Sequence, residues 1–367
     1  MIIFLGMKIK MVENAFEKEW RDYHIPDIFE IIQRGKRLKK SDHIPGIVPY
    51  VSSTAGNNGV DGYVKPVEGV RIFRDCISLA NSGSVGSAFY EPFEYVASDH
   101  VTCLKTEGFT PHQYLFLTAP IQKQSSNFNF NREINNQRVM ALRIMLPVDE
   151  SGEPDYEYME EYVWQKREKM LAKYCTYIEN RIVELGEEVD IPLLQEKEWK
   201  PVKIVSMFNL VRGRESNMSK LGDGSIPLIS AKNGSNGLKR FVSASDRLLK
   251  GNCITLNNDG DGGAGLAYYQ PADMALDTHV TALVPISSMN MYTMIFIAKS
   301  LSGLHGFFGH GLSISNKRAQ EIRIMLPVSE SGDPDYEYME QYVRNMMIRK
   351  YRKYLKYLGE NTDKINK

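Results

Sequence analysis

Arg143-Ile144-Met145-Leu146-Pro147-Val148 is followed by Glu150-Ser151-Gly152-Glu153-Pro154-Asp155-Tyr156-Glu157-Tyr158-Met159-Glu160. The same words return 180 residues later as Arg323-Ile324-Met325-Leu326-Pro327-Val328 and Glu330-Ser331-Gly332-Asp333-Pro334-Asp335-Tyr336-Glu337-Tyr338-Met339-Glu340. Residues 138–163 and 318–343 agree at 19 of 26 positions, too many for chance, so the chain is a duplication. Proline followed by an Asp that can cap a first turn marks a helix start in each copy. Beyond it, Tyr156, Met159, Val163, Met170, Tyr174, Ile178, Ile182 and Leu185 recur at helical spacing. Tyr336, Met339, Val343, Met347, Tyr351, Leu355 and Leu358 do the same in the second copy. These narrow apolar stripes predict two amphipathic helices on the order of 45 and 35 Å long, packed on each other as a spacer.

Working upstream, the match weakens but keeps its order. Phe29 and Arg34-Gly35 align with Phe208 and Arg212-Gly213, Ile47-Val48-Pro49 with Ser225-Ile226-Pro227, and Asn58-Gly59 with Asn236-Gly237. Cys76-Ile77-Ser78-Leu79 aligns with Cys253-Ile254-Thr255-Leu256, Phe89-Tyr90 with Tyr268-Tyr269, His100-Val101-Thr102 with His279-Val280-Thr281, and Asn136 with Asn316. Each copy is therefore a variable body followed by a near-invariant tail. Short runs rich in β-branched and aromatic residues (47–52, 71–80, 95–104, 226–231, 252–257 and 278–284), punctuated by Gly, Asn and Asp, predict mostly β bodies. A helix is expected late in each body, near 111–118 and 291–301. The fold class is α+β.

Composition bounds the function. In 367 residues, 45 basic side chains balance 45 acidic ones, which argues against coating nucleic acid or membrane by charge alone. The length points to two domains. Four scattered cysteines form no CxxC pattern or disulfide framework, and no stretch reaches the ~18–20 apolar residues of a membrane span. The expected compartment is the cytoplasm. Cys76 and Cys253 read as small buried hydrophobes, and His100 and His279 as core histidines.

Two variable β-rich bodies, each ending in Leu-Pro-Val and a long helix, resemble the DNA-specificity (S) subunit of a type I or type IIB-like restriction–modification system. The repeated Arg-Gly, Ser225–Lys232, and the turns ending at Gly59 and Gly237 resemble its target-recognition domains. The resemblance covers about residues 20–358. It implies two target-recognition domains separated by a pair of long antiparallel helices. The expected divisions are an extension at 1–19, a first domain at 20–153, a helix at 154–186, a linker at 187–197, a second domain at 198–333, a helix at 334–358 and a tail at 359–367. It also implies a non-catalytic scaffold without catalytic residues, cofactor or metal. Its partners would be double-stranded DNA with a bipartite site, two methyltransferase subunits and a restriction subunit, with no membrane.

The chemistry that reads DNA pairs Asn and Gln with adenine and Arg and Lys with guanine, while phosphate contacts set the register. Candidate contacts in the first body are Arg34, Lys36, Arg37, Lys39, Asn57, Asn58, Asn131 and Arg132. Those in the second are Arg212, Arg214, Lys220, Lys232, Asn233, Asn236, Lys239 and His310. Arg34 and Arg212, each beside a glycine, read equally well as structural. On the helices, Trp164, Arg167, Arg344 and Arg349 are the candidate methyltransferase contacts.

Other chemistries lack their residues. Asn257, Asp259, Asp261 and Gly262 resemble the start of a calcium loop, but Tyr268 stands where its bidentate carboxylate belongs. Gly83–Gly86 lacks a dinucleotide fingerprint. Pro154-Asp155 and Pro334-Asp335 look like the opening of a nuclease motif, yet no Glu-x-Lys follows on an expected strand, Glu198-x-Lys200 falling in the linker. No methyltransferase or Walker motif is present. The rival readings are a stand-alone or competitor DNA-binding protein and, with least support, a nuclease.

Overall fold

In a computed structural model, residues 18–365 are described, apart from 130, 244–247, 261–262 and 310; for 361–365 only the backbone is. Most of the expected N-terminal extension, the last two residues, Asp261, Gly262 and His310 thus lie outside the described residues. Contacts divide the chain into two units, one ending at Tyr174 and the other beginning at Cys175.

The first copy runs β1 (Trp20–His24), α1 (Ile25–Ile28), β2 (Ile31–Arg34), β3 (Pro45–Val51), β4 (Val60–Val64), β5 (Ile72–Phe73), β6 (Cys76–Ala80), β7 (Ala88–Glu91), β8 (Tyr95–Ala97) and β9 (Val101–Lys105). It continues with α2 (Pro111–Lys123), α3 (Asn136–Met140), β10 (Arg143–Pro147) and the long helix α4 (Tyr156–Leu185). The second copy repeats this as β11 (Trp199–Lys203), β12 (Phe208–Arg212), β13 (Asp223–Ile229), β14 (Leu238–Val242), β15 (Cys253–Asn257), β16 (Ala267–Gln270), β17 (Ala275–Leu276) and β18 (Val280–Pro285). Its last elements are α5 (Met291–Ser302), α6 (Asn316–Glu321), β19 (Arg323–Pro327) and α7 (Tyr336–Ile365). The second long helix therefore runs on past the expected 358. Each expected 71–80 and 95–104 run is two strands, broken at Asp75 (φ 50°) and before Val101.

Each body is a helix on a four-stranded antiparallel sheet, with a second sheet on the other side. The sheets under the helices have the order β2-β9-β6-β7 and β12-β18-β15-β16. The second sheets are the four-stranded β4-β3-β8-β5 and the three-stranded β14-β13-β17. This layering explains why β6 and β15 are buried at every residue, the polar Ser78, Thr255 and Asn257 included. Ile77 and Leu79 join the core under α2, while Cys76 joins the core shared with the second sheet. Ile254 and Leu256 likewise pack under α5, and Cys253 on the opposite face.

An aromatic ladder joins each body to its long helix. Trp20 stacks on Phe116 and Phe116 meets Tyr162 edge-on, with centroids 6.3 and 5.8 Å apart. Trp199, Phe296 and Tyr342 repeat this at 6.2 and 5.6 Å. Asp155 and Asp335 cap α4 and α7 by accepting from the backbone N–H of Tyr158 (2.9 Å) and Tyr338 (3.0 Å). Each also holds a lysine at 2.7 Å, Lys18 and Lys197 respectively. The Glu-Lys-Glu-Trp words at 17–20 and 196–199 that supply those lysines and tryptophans are a further repeat, which the upstream alignment stopped short of. Lys200 lies on β11 rather than in a linker, with its ammonium on Glu198 at 3.3 Å.

Within the second unit, the end of α4 runs antiparallel to α7. Tyr177 hydrogen-bonds Tyr351, whereas further along α4 the Leu185 carbonyl accepts from Arg344. Among the described residues no helix is long and apolar enough to cross a membrane, and no group of His, Cys, Asp and Glu is placed to hold a metal.

Candidate nucleic-acid interface

Three loops meet at one side of each body. The first is a turn between the strands of the β3–β4 hairpin, Asn57-Asn58-Gly59, with φ of 48°, 51° and 78°. Its counterpart on β13–β14 is Ser235-Asn236-Gly237, at 49°, 50° and 74°. Left-handed backbone favours glycine and asparagine, so Asn58 and Asn236 are explained first by backbone conformation, while Ser235 adopts it as neither. Their side chains remain exposed, as does that of Asn57.

The second loop leaves β6 or β15. A Cβ on Gly83 would press on the Ser53 carbonyl at 2.7 Å, and one on Gly260 on the Ala231 carbonyl at 2.8 Å. These glycines let the second loop lie against the base of the first turn. The third loop follows α2 or α5. Ser125 closes over Gly86, and Leu304 and His305 over Gly265. In the first body the three loops enclose a cleft of about 780 Å³ lined by Ala55, Ser84, Phe89, Lys123, Phe128 and Asn129 among others. A second cavity of about 600 Å³ lies against the Asn57–Asn58 turn, walled by Pro49, Asp61, Tyr63 and Phe93.

Buried asparagines tie the loops together. Asn81 and Asn258 each accept from a threonine hydroxyl, Thr102 or Thr281, at 3.0 Å. Their carbonyls accept from the N–H of Ile134 and Ile314, which anchors the end of the third loop. Behind the turns stand Glu91 and Gln270, hydrogen-bonded to Ser78 (2.9 Å) and Thr255 (3.0 Å). The sequence reading missed both pairs. Asn81 and Asn258 were visible as identical letters, but Glu91 and Gln270 match only in shape.

The candidate contacts separate into groups. Asn57, Asn58, Lys232, Asn233 and Asn236 belong to the first loops, and Asn131 and Arg132 to the third, all exposed. Lys232 reaches the Leu238 carbonyl at 3.4 Å, and Lys239, on the outer face of β14, contacts the Met218 sulfur at 3.8 Å. Lys36, Arg37 and Lys39 are exposed in the stretch after β2, which lines neither cavity. Arg214 and Lys220 are exposed in the matching stretch after β12. Arg34 and Arg212 are half-buried and structural, their Nε atoms donating to the carbonyls of Asp99 and, at 2.6 Å, Thr278. The neighbouring Gly35 and Gly213 are obligatory, since a Cβ would collide with the carbonyls of Ala97–Ser98 and Leu276–Asp277.

His100 and His279 are not core residues: their side chains are 49% and 57% exposed, because both sit in the turn before the buried strand rather than on it. His100 Nδ1 meets the Ser82 hydroxyl at 2.6 Å, and His279 Nδ1 meets Asp259 at 2.8 Å, which raises the proton affinity of His279 above the usual imidazole range. Cys76 and Cys253 are fully buried, as expected.

On the helices, Arg344 is engaged inside the second unit. It bonds Glu340 at 2.8 Å and lies 4.5 Å over the Tyr292 ring. Arg349 bridges to Glu188 of the linker. Trp164 and Arg167 are partly buried on α4.

The model of the type I restriction modification DNA specificity domain matches the chain twice, over residues 17–169 and 196–355. The chain therefore belongs to this family of restriction–modification specificity subunits, with the domain present in both copies. It is 24% identical over 335 residues to the type II restriction enzyme BgcI specificity subunit S.BcgI of Heyndrickxia coagulans, covering 89% of this chain and 94% of that one. Similar solved structures include the S subunit of a type I restriction-modification system from M. genitalium, with a TM-score of 0.47 and 16% identity over 98% of this chain and 97% of that one. The HsdS subunit from Thermoanaerobacter tengcongensis has a TM-score of 0.31 and 14% identity over 91% of each chain.

Proposed function

From that family membership we propose that the chain is the non-catalytic reading subunit of a restriction–modification complex, each body recognising one half of a bipartite double-stranded DNA site. One observation supports this most. The same three-loop scaffold is built twice from near-invariant structural residues, while the exposed positions differ: Asn57 against Ser235, Asp61 against Lys239, and Asn131-Arg132 against Gly311-Leu312. A constant frame carrying different hydrogen-bonding side chains is what two different half-sites demand.

The surrounding cations, Lys36, Arg37, Lys39, Arg214 and Lys220, serve as phosphate contacts that set register, and Arg34 and Arg212 act by holding the loop base. Helices α4 and α7 set the gap between half-sites and dock two methyltransferase subunits, Trp164 and Arg167 lying on that surface. Arg344 instead ties the end of α4 to α7, and Arg349 ties the linker to it. A restriction subunit joins the same assembly. With zero net charge, the chain alone binds DNA weakly and gains affinity in the complex.

The test is co-expression with the neighbouring methyltransferase gene in a methylation-free host, followed by sequencing of modified bases. The expected result is a split, asymmetric motif with an undefined gap. A soluble complex that methylates nothing, or only one continuous motif, would contradict the proposal.

A further inference from the structure

Glu91 and Gln270 end equivalent strands, β7 and β16, and pair in the sheet with Cys76 and Cys253. In the second body, Gln270 Nε2 donates to the Asn236 carbonyl, inside the left-handed turn, at 2.9 Å, and to the Thr255 hydroxyl at 3.0 Å. Thr255 passes its own proton to the Tyr268 carbonyl at 3.3 Å. The first two of these bonds need hydrogens on the side chain of residue 270.

The first body has the same frame with a carboxyl in place of the amide. Ser78 stands where Thr255 does, 3.4 Å from the Phe89 carbonyl and 2.9 Å from Glu91 Oε1. Glu91 is fully buried, and its Oε2 has no hydrogen-bond partner. We propose that Glu91 is a proton-dependent positioning residue of the first body: neutral, it gives its one proton to the Asn58 carbonyl, as Gln270 gives one of its two to Asn236, and holds the Asn57–Gly59 turn; ionised, it releases the turn. A serine hydroxyl has one proton, so an ionised Glu91 would take it from the Phe89 carbonyl and still leave a buried, unpaired oxygen. The neutral acid avoids the second cost, its one proton pairing that oxygen with the Asn58 carbonyl while Ser78 donates to Oε1.

The titratable groups around Glu91 are the Cys76 thiol on β6 and the Tyr95 hydroxyl on β8, and neither supplies a positive charge. Burial, opposed by the Ser78 hydrogen bond, pushes the carboxyl up to about 7. The folded chain then keeps a proton that the unfolded chain loses near 4.5, so stability falls as pH rises between those values and levels off above about 7. The effect on recognition rests on the proposed reading that the turn faces DNA; the protonation itself does not.

The experiment uses the full chain as wild type, Glu91→Gln and Gln270→Glu. Unfolding midpoints are followed from about pH 5 to 8.5, and the methyltransferase complex is titrated with a duplex carrying the motif found by methylation sequencing. The wild-type midpoint should fall between about pH 5 and 7 relative to Glu91→Gln and level off above it, and Gln270→Glu should add a second fall of the same sign. If only the proton-bearing form binds, wild-type affinity drops about tenfold between pH 6 and 8, while Glu91→Gln stays flat. An unfolding profile whose slope Glu91→Gln leaves unchanged overturns the proposal. A slope removed in unfolding but retained in DNA binding would place the proton on Glu91 and take the turn away from the DNA, which overturns the positioning role alone.

Discussion

At the scale of single residues, the identical letters of the two copies are mostly those that the backbone requires. Gly35 and Gly213 let the chain pass against the carbonyls of the β8 and β17 ends, and the arginine before each glycine binds the next turn. A methyl group has no space there, so Gly213→Ala should lower unfolding free energy by about 3 kcal/mol, the upper range for overpacking, as measured by denaturant melts. A change under about 0.5 kcal/mol, the level of an ordinary surface substitution, would mean the strand ends separate freely. The same logic shows why the histidines were misread. His100 and His279 precede apolar residues on a buried strand, and periodicity places them on it, but the chain turns first and leaves the rings in solvent. Glu91 and Gln270 were invisible for the converse reason, since a search for identical letters passes over two side chains of the same shape in the same hydrogen-bond network.

At the scale of elements, the long helices were the most legible part of the chain. Their stripes have a clean period, and their capping aspartates stand where a proline marks the start. The expected end of the second helix was short because Leu358 closes the apolar stripe while α7 continues to Ile365 through polar residues. Stripe length reports what a helix packs against, not how long it is. The spacer role makes a prediction at this scale: inserting one or two turns after Val163 should widen the gap of the methylated motif, at about 5.4 Å per turn, without changing its bases. Methylation sequencing reads the gap directly, and an unchanged gap would remove the ruler function from α4.

At the scale of the whole molecule, the duplication governs everything else. It was legible because the tail, bound by the aromatic ladder and the capping salt bridge, is almost the same in both copies. The bodies drift apart in sequence but keep strand order, loop positions and buried asparagines. The contacts that bring the three loops together were not legible, because they depend on glycines approaching distant carbonyls rather than on any local pattern. If the two bodies are independent readers, replacing residues 20–150 with the corresponding domain of another specificity subunit should alter one half of the methylated motif and leave the other half intact. The most direct measurement is therefore methylation sequencing of that chimera beside the parent complex. One changed half-site is the predicted result. Two changed half-sites, or none, would contradict a protein built of two separate readings of DNA.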